Sequence, residues 1–252
     1  MGMIRIVVVG DSHTDAIKRA LARGRFVDPE IAVEAYRYSK AKNGKEIGDL
    51  SESAVCELAA SLGKDDLVVS TIGGNQHQTF SLIQHPDRFD VLLPGESEGL
   101  PDESSTLIPY GQLFETLDRG IRNKDGARLK SLREAAGCEV VHLIPPPPKE
   151  DSEHIMRRHE TDFAKSGIAE KGISSAVLRK KVWQTQVAAL RSICSEFDVV
   201  LLDPPTGTLD ERGYLGREYY ADDATHGNTK YGERVLRQLI ARVRARKKNR
   251  LA

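Results

Sequence analysis

Five short runs of β-forming residues alternate with helical patterns along this chain, and that alternation limits the folds open to it. The first run, Ile4–Val9, is continuously apolar and ends at Gly10, which is typical of a strand buried on both faces. Strands separated by helices predict a parallel sheet covered by helices on both faces. The other four predicted strands are Ile31–Tyr36, Leu67–Ile72, Glu139–Ile144 and Asp198–Leu202.

Helical patterns occupy the intervals between these strands. In the first of them, Ile17, Ala20 and Leu21 share one face, as expected of a helix that packs on a sheet. A chain of 252 residues with this pattern is predicted to form a single domain, residues 1–252. The predicted helices are Thr14–Ala22, Ser51–Leu62, Ser175–Cys194 and a last helix that follows Asn228.

Two stretches interrupt the alternation. Residues 86–109 are rich in Pro, Gly, Ser and acidic residues, and residues 145–172 begin with four prolines and are strongly charged. Segments of this length without predicted structure are usually active-site lids or disordered connections. We expect lids, because both segments leave the side of the sheet that carries the polar motifs described below.

The charge balance limits the choice of partners. Lys plus Arg and Asp plus Glu both number 37, so the formal net charge is zero, and nothing in it directs the chain to nucleic acid or to a membrane. We therefore expect no nucleic-acid and no membrane partner. The basic segment 242–250 is interpreted as a solvated helix end, with nucleic-acid or lipid contact as the alternative, and the oligomeric state stays open.

Cysteine usage and the N-terminal residues bear on the cellular compartment. The three cysteines, Cys56, Cys138 and Cys194, are odd in number and have no Cys-x-x-Cys spacing, which favours buried free thiols in a reducing compartment. The N-terminal apolar run is too short for a signal peptide. No stretch reaches the roughly 20 apolar residues of a membrane span. These observations predict a cytoplasmic protein.

Polar motifs follow two of the predicted strands. Gly10-Asp11-Ser12-His13 comes after the first strand, and Gly73-Gly74-Asn75 comes after the third. In such sheets ligands bind at the carboxyl ends of the strands. A serine nucleophile needs a base, a partner that orients the base, and donors for the oxyanion. Ser12 is therefore a candidate nucleophile, with an ordinary helix N-cap at Ser12 or Asp11 as the alternative.

A third motif, Asp223-Ala224-Thr225-His226, is followed by Asn228 and by Tyr231-Gly232. In their order along the chain, the three motifs resemble the Gly-Asp-Ser, Gly-x-Asn and Asp-x-x-His blocks of the SGNH (GDSL-like) serine hydrolases. They extend over almost the whole chain. The resemblance implies a flavodoxin-like three-layer α/β/α sandwich with a five-stranded parallel sheet, and the activity of a serine esterase.

The resemblance also implies a role for each matching residue. Ser12 would attack the ester carbonyl, His226 would accept its proton, and Asp223 would orient His226. Asp222 is a second candidate for the acid, but the Asp-x-x-His spacing favours Asp223. No metal and no organic cofactor is expected.

The oxyanion hole implied by the resemblance has three donors. They are the backbone N–H of Ser12, the side-chain amide of Asn75 and the backbone N–H of Gly44. Gly44 matches loosely, because three residues separate Gly44 from Gly48, where the family pattern is Gly-x-x-Gly. Gln76 is a further departure, since many members have Asp after the asparagine.

Four further residues are expected to bind substrate: Asp11, His13, Gly74 and His77. For His13 and His77 the alternative is that they are polar loop residues without a chemical role. The Gly-Asp-Ser-His variant and the polar insertions favour a small acyl group, such as acetyl, on a sugar or another polar alcohol. The expected partner is thus a small-molecule or carbohydrate ester, and two alternatives remain: an acyltransferase that uses the same residues, and a non-catalytic binding protein on the same fold.

Overall fold

A computed structural model describes residues 3–26, 28–42, 44–95 and 104–251 of the chain. Its strands are β1 (Ile4–Gly10), β2 (Ile31–Arg37), β3 (Lys40–Lys42), β4 (Lys45–Ile47), β5 (Leu67–Thr71), β6 (Phe89–Val91), β7 (Thr106–Ile108), β8 (Glu139–Leu143) and β9 (Val200–Leu202). Its helices are α1 (Thr14–Ala22), α2 (Glu52–Ala60), α3 (Gln76–Ser81), α4 (Tyr110–Ile121), α5 (Ala127–Ala135), α6 (Ser152–Arg157), α7 (Thr161–Lys165), α8 (Ile168–Lys171), α9 (Ala176–Glu196) and α10 (Thr229–Leu251).

The central sheet has five strands in the order β2-β1-β5-β8-β9, and all of its pairings are parallel. Successive side chains of a strand point to opposite faces. Ile6 and Val8 accordingly pack in the cluster that contains residues of α1 and α10. Val7 and Val9 pack in the cluster that contains residues of α2, α5 and α9. The predicted three-layer α/β/α sandwich with a five-stranded parallel sheet is confirmed.

The strand order creates a crevice between β1 and β5. From β1 the chain adds β2 on one side, and it then returns to add β5, β8 and β9 on the other side. Ligands bind where the strand order reverses in this way, outside the carboxyl ends of the strands. Gly10 and Thr71, the last residues of β1 and β5, lie opposite each other, so the two polar motifs leave the sheet side by side.

Close approach of these two strand ends depends on Gly10. A Cβ atom added there would lie 2.1 Å from Thr71 Oγ1, which is far inside van der Waals contact. Thr71 Oγ1 is also 2.7 Å from the hydroxyl of Thr14, the first residue of α1. These contacts fix the turn that carries Ser12 against the end of β5.

The structure adds elements that the sequence patterns did not predict. Residues 110–135 form α4 and α5, joined by a π-helical turn at Arg122–Gly126. The chain after β2 forms the antiparallel hairpin β3–β4. In the first insertion, β6 and β7 form a parallel pair, and the part of the predicted lid at 96–103 lies outside the described residues.

The second insertion, residues 145–172, contains the three short helices α6, α7 and α8. Ile155 and Ile168 are buried and pack with Leu82 and Ala224. These apolar contacts attach the insertion to the segment that contains the Asp-x-x-His motif. Its role as a lid stays a prediction.

The cysteines are free, as predicted; Cys138 and Cys194 are buried and Cys56 is half-buried. Within the described ranges, every helix is too short or too polar to span a lipid bilayer. Several basic residues of α10 form ion pairs within the chain, since Arg242 and Arg246 both contact Glu139.

Candidate active site

Ser12, His226 and Asp223 form a continuous hydrogen-bonded chain above the β1–β5 crevice. Ser12 Oγ lies 2.7 Å from His226 Nε2, and His226 Nδ1 lies 2.9 Å from Asp223 Oδ2. A carboxylate beside Nδ1 holds the proton on that nitrogen and leaves Nε2 to accept from the serine hydroxyl. Ser12 and His226 are 214 positions apart in the chain, so only the fold brings them together.

The three-residue spacing between Asp223 and His226 has a local explanation. Asp223 Oδ1 accepts hydrogen bonds from the backbone N–H groups of Thr225, at 3.0 Å, and His226, at 2.8 Å. This is the turn that an aspartate forms with its own downstream backbone. It leaves Oδ2 directed at the imidazole. Asp222 is exposed and pairs instead with Arg158 at 3.1 Å, so of these two aspartates it is Asp223 that contacts the imidazole.

Charges around His226 favour its protonated form. Burial alone would lower the pKa of His226, but hydrogen bonds and charges from Asp223 and Glu160 outweigh burial and raise that pKa to about 9. Burial would likewise raise the pKa of Asp223, but its contacts with His226 and with the Lys149 ammonium hold that pKa well below its usual range. Asp223 is therefore ionised throughout the pH range in which His226 titrates.

His13 contacts Asn75. His13 Nε2 lies 2.9 Å from Asn75 Oδ1, and the ring centroid of His13 lies 4.8 Å from that of His226. Burial, followed by the neighbouring His226, lowers the pKa of His13 to about 3. A neutral His13 that donates from Nε2 to Oδ1 directs the Asn75 –NH₂ group away from itself and leaves it available to a ligand.

Asp11 and Gly74 contribute to the shape of the crevice. Asp11 Oδ2 accepts from the Gly73 N–H at 2.9 Å, which ties the first motif to the second. Gly74 has a positive φ of 101°, a region that favours glycine. A Cβ atom added to Gly74 would lie 3.1 Å from Pro145 Cβ and 3.3 Å from the His13 ring. Substrate contact by Asp11 and Gly74 stays a prediction.

Gly44 lies in the turn of the β3–β4 hairpin, with a positive φ of 74° and open space around its Cα atom. Gly48, by contrast, is packed so closely that a Cβ atom would lie 2.4 Å from the Tyr38 carbonyl oxygen. Tyr38 in turn donates its N–H to the Gly10 carbonyl at 2.9 Å. Gly48 thus packs against the strand end that carries Ser12, while the oxyanion role assigned to Gly44 stays a prediction.

His77 was predicted to line the cleft, but its side chain is buried in the interior. It is only 1% exposed, and its Nδ1 lies 3.1 Å from Gln186 Oε1, which also accepts the His77 backbone N–H at 2.6 Å. Burial lowers the pKa of His77 to about 4. The reason is its place on α3, whose inner face packs against α9 and turns this side chain toward the interior.

Gln76, which departs from the family pattern, contacts a carboxylate that the sequence analysis missed. Gln76 Nε2 donates to Asp125 Oδ2 at 3.2 Å and to the Gly120 carbonyl at 3.3 Å. Asp125 is 3% exposed and lies in the π-helical turn, where burial raises the pKa of its carboxyl group. The pattern of residues 110–135 contains no signal for that turn.

Two further charged residues lie behind His226, and sequence reasoning assigned neither of them. Lys149 is 1% exposed, and its Nζ lies 3.4 Å from Asp223 Oδ1 and 2.8 Å from the Ala221 carbonyl oxygen. Glu160 Oε1 lies 3.5 Å from His226 Nδ1. Both belong to the second insertion. Its strong charge was visible in the sequence, but nothing there indicated which charges face inward.

Glu160, Asp223 and His226 also have donor atoms within 4.8 Å of one another, a grouping that metal sites share. The imidazole nitrogens are already engaged, since Nδ1 faces Asp223 and Nε2 faces Ser12. Glu160 is engaged by Thr225 and Ala224. We therefore interpret this group as a hydrogen-bonded ion cluster.

No protein-family model and no curated protein matches the chain. Among solved structures, a carbohydrate acetylesterase from Sinorhizobium meliloti is 12% identical with a TM-score of 0.45, over 96% of this chain and 99% of that one. An extracellular lipase from Streptomyces rimosus is 14% identical with a TM-score of 0.48, over 93% and 98%. A GDSL-like lipase from Bacteroides thetaiotaomicron is 12% identical with a TM-score of 0.44, over 96% and 88%.

The identities of these three structures are 12–14% and their TM-scores are 0.44–0.48, so the likeness assigns no function to this chain. The roles of individual residues in this chain therefore depend on the contacts described above.

Proposed function

We propose that this protein is a serine esterase, a carboxylic ester hydrolase in which Ser12 is the nucleophile. The observation that carries the proposal is the unbroken chain of hydrogen bonds from Ser12 Oγ through His226 to Asp223, with lengths of 2.7 and 2.9 Å. A serine hydroxyl becomes a nucleophile when an oriented, neutral imidazole can take its proton, and His226 reaches that form at alkaline pH because its pKa is raised to about 9. The chain of contacts ends at the ligand-binding edge of the sheet.

The reaction then has two halves. Ser12 Oγ attacks the ester carbonyl while its proton passes to His226 Nε2, and Asp223 stabilises the imidazolium that forms. The tetrahedral intermediate collapses, the proton passes from Nε2 to the leaving alcohol, and an acyl-serine remains. Water repeats the sequence in the second half, and the acid product leaves with Ser12 restored.

The oxyanion of each intermediate needs donors that are fixed in advance. We assign this role to the Asn75 amide and to the Ser12 backbone N–H, with the Gly44 N–H as the third donor. The contact between His13 and Asn75 Oδ1 supports the first assignment, since it orients the Asn75 –NH₂ group. His13 is thereby a positioning residue in this proposal.

Replacing Asn75 tests the oxyanion assignment. Asn75→Ala removes one fixed donor and should lower kcat by about 10²- to 10³-fold, with a much smaller change in KM because the donor acts on charge that develops in the transition state. Steady-state kinetics on p-nitrophenyl acetate measure both constants. Gln84→Ala, which removes an amide from the loop after α3, serves as the control. An Asn75→Ala variant with unchanged kcat would remove Asn75 from the site.

The substrate proposal is an ester of a small acyl group, such as acetyl, on a sugar or another polar alcohol. A cavity of about 30 Å³ lies beside the site, and a single water molecule needs about 10–15 Å³ of such space. The cavity lining includes His13, Gly74 and Gly227, each the immediate chain neighbour of a residue to which we assign a role. Ser12, Asn75 and His226 do not themselves line this cavity, so the choice of a small acyl group follows from the Gly10-Asp11-Ser12-His13 motif and the polar insertions.

Acyl-chain length tests the esterase and its pocket together. The purified protein should hydrolyse p-nitrophenyl acetate, and kcat/KM should fall by roughly tenfold or more toward the octanoate ester, because a site specific for a small acyl group excludes additional methylenes. Initial rates over an acetate-to-octanoate series provide the measurement. Absence of hydrolysis across the whole series and across acetylated sugars would contradict the esterase, and a preference for octanoate would contradict only the pocket.

A further inference from the structure

Glu160 reaches from the second insertion into the Asp-x-x-His motif. Its Oε1 accepts from the Thr225 hydroxyl at 2.8 Å, and its Oε2 accepts from the Ala224 backbone N–H at 3.2 Å. Oε1 also lies 3.5 Å from His226 Nδ1. The Glu160 carboxylate thus contacts three residues of that motif, and the two hydrogen bonds, from Thr225 and Ala224, hold its orientation.

We propose that Glu160 is a positioning residue, a second carboxylate that acts with Asp223 on the Nδ1 side of His226 and stabilises the imidazolium formed during the reaction. The inference rests on the proposed function, in which His226 is the general base. Glu160 lies outside all three sequence motifs. The reacting atoms remain those of Ser12, His226 and the ester.

The balance of charge around His226 shows why a second carboxylate matters. Asp223 faces His226 from its own turn, but Asp223 is itself paired with the Lys149 ammonium, whose Nζ lies 3.4 Å from Oδ1. Lys149 is buried and also donates to the carbonyl oxygens of Ala221 and Asp223. Lys149 therefore offsets part of the negative charge of Asp223, and Glu160 adds a second negative charge beside the imidazolium.

The other titratable groups near His226 do not replace Glu160. The His13 ring lies beside the His226 ring on the α1 side, tilted by 53°, and its lowered pKa keeps it neutral. His154 lies behind Asp223, with Nε2 3.2 Å from the Asp223 carbonyl oxygen. Asp222 is turned outward and pairs with Arg158. Glu160 itself stays ionised, because hydrogen bonds from His226 and Thr225 outweigh its burial and lower its pKa.

Packing of the insertion keeps Glu160 in place. Glu160 occupies the N-cap position of α7, between the buried residues Ile155 and Ile168, which pack with Leu82 and Ala224. Ala224 is the residue whose N–H donates to Glu160. The apolar contact and the hydrogen bond therefore reinforce each other and hold the carboxylate beside His226.

The expected consequence is an alkaline activity profile. The base must be neutral to act, so kcat/KM of the free enzyme should rise with pH through the pKa of His226, which the two carboxylates raise to about 9 against the effect of burial. Glu160→Gln removes one of the two charges and keeps the size of the side chain. The pKa of His226 falls, and the rising limb should move to lower pH by about one pH unit.

The two profiles should also cross. With a Brønsted slope of about 0.5, lowering the pKa of the base by about one unit makes the catalysed reaction roughly threefold slower once the base is fully neutral. Glu160→Gln should thus be about threefold slower than the parent on the alkaline plateau and about threefold faster at the acidic end, where more of its base is neutral. A purely structural defect would lower the rate at every pH.

The measurement is kcat/KM for p-nitrophenyl acetate across the pH range, with Glu153→Gln as the matched control. Glu153 is on the same insertion, is 84% exposed and pairs with Arg157, so its loss should leave the profile unchanged. Glu160→Asp keeps the charge at a greater distance and should give an intermediate profile. It also provides a second variant if Glu160→Gln does not fold.

An NMR titration of the His226 imidazole separates this inference from the proposed function. If the parent hydrolyses no ester, the esterase proposal fails, and the titration of His226 in the parent and in Glu160→Gln still tests the role of Glu160. A lower pKa in the variant supports that role. An unchanged His226 pKa in folded Glu160→Gln, with an unchanged rising limb wherever activity is measurable, would overturn it.

Discussion

Ser12→Ala should abolish ester hydrolysis, with kcat/KM lowered by roughly 10⁴-fold or more. The hydroxyl oxygen of Ser12 forms the bond to the acyl group in our proposal, and it lies 2.7 Å from the His226 Nε2 atom that takes its proton. Removal of a nucleophile leaves only the binding and oxyanion contributions, which are small beside the whole effect. Hydrolysis of p-nitrophenyl acetate by parent and variant measures the loss.

Interpreting the lost activity requires a folding check on Ser12→Ala and a control variant. Circular dichroism and thermal unfolding should show that Ser12→Ala is folded, since Ser12 is only half-buried and its side chain contacts His226. Ser195→Ala, on the exposed side of α9, should retain full activity. If Ser12→Ala were as active as the parent, the assignment of Ser12, and the mechanism with it, would be wrong.

Gly232→Ala should strongly destabilise the fold. A Cβ atom added to Gly232 would lie 2.1 Å from the Ala16 carbonyl oxygen and 2.5 Å from its carbonyl carbon. These are backbone atoms of α1, so no side-chain rotation relieves the clash, and α1 and α10 must separate. Overpacking typically costs about 1–3 kcal/mol of unfolding free energy, and for a chain of this size each kcal/mol lowers Tm by roughly 2–4 °C.

The same separation should affect the site, because α1 follows Ser12 and α10 follows His226. We expect kcat to fall along with Tm, as the 2.7 Å contact between Ser12 and His226 is lost. Differential scanning calorimetry and steady-state kinetics measure the two effects. Gly120→Ala is the matched control, since Gly120 is also helical and its added Cβ would find its nearest atom at 3.8 Å. A Gly232→Ala protein as stable as Gly120→Ala would show that the two helices are not locked together as described.

Much of this fold follows from local patterns in the chain. The predicted and observed limits of β1 and β2 differ by one residue at most, and α1 is Thr14–Ala22 in both. Continuous apolar runs in strands and a one-sided apolar face in helices depend on residues close together in sequence, and both are visible without a structure. The three-layer architecture follows from their alternation.

Elements whose form depends on distant partners were not predictable in this way. The π-helical turn before α5 places Asp125 against the loop after β5, and the β3–β4 hairpin is only three residues per strand. His77 carried a polar signature typical of a cleft residue. Its burial follows from the packing of α3 on α9, a contact between segments about a hundred residues apart in the chain.

The sequence by itself determined the layered fold and the strand ends where polar residues gather. It also determined Ser12, Asn75, Asp223 and His226 as candidates, because each of these residues belongs to a short motif beside a recognisable strand or helix. Only the tertiary structure decided which charges meet there. Lys149 and Glu160 face Asp223 and His226 because the insertion buries Ile155 and Ile168 against the same segment. Such contacts join residues that share no spacing along the chain, and the balance of their charges exists only once the chain is folded.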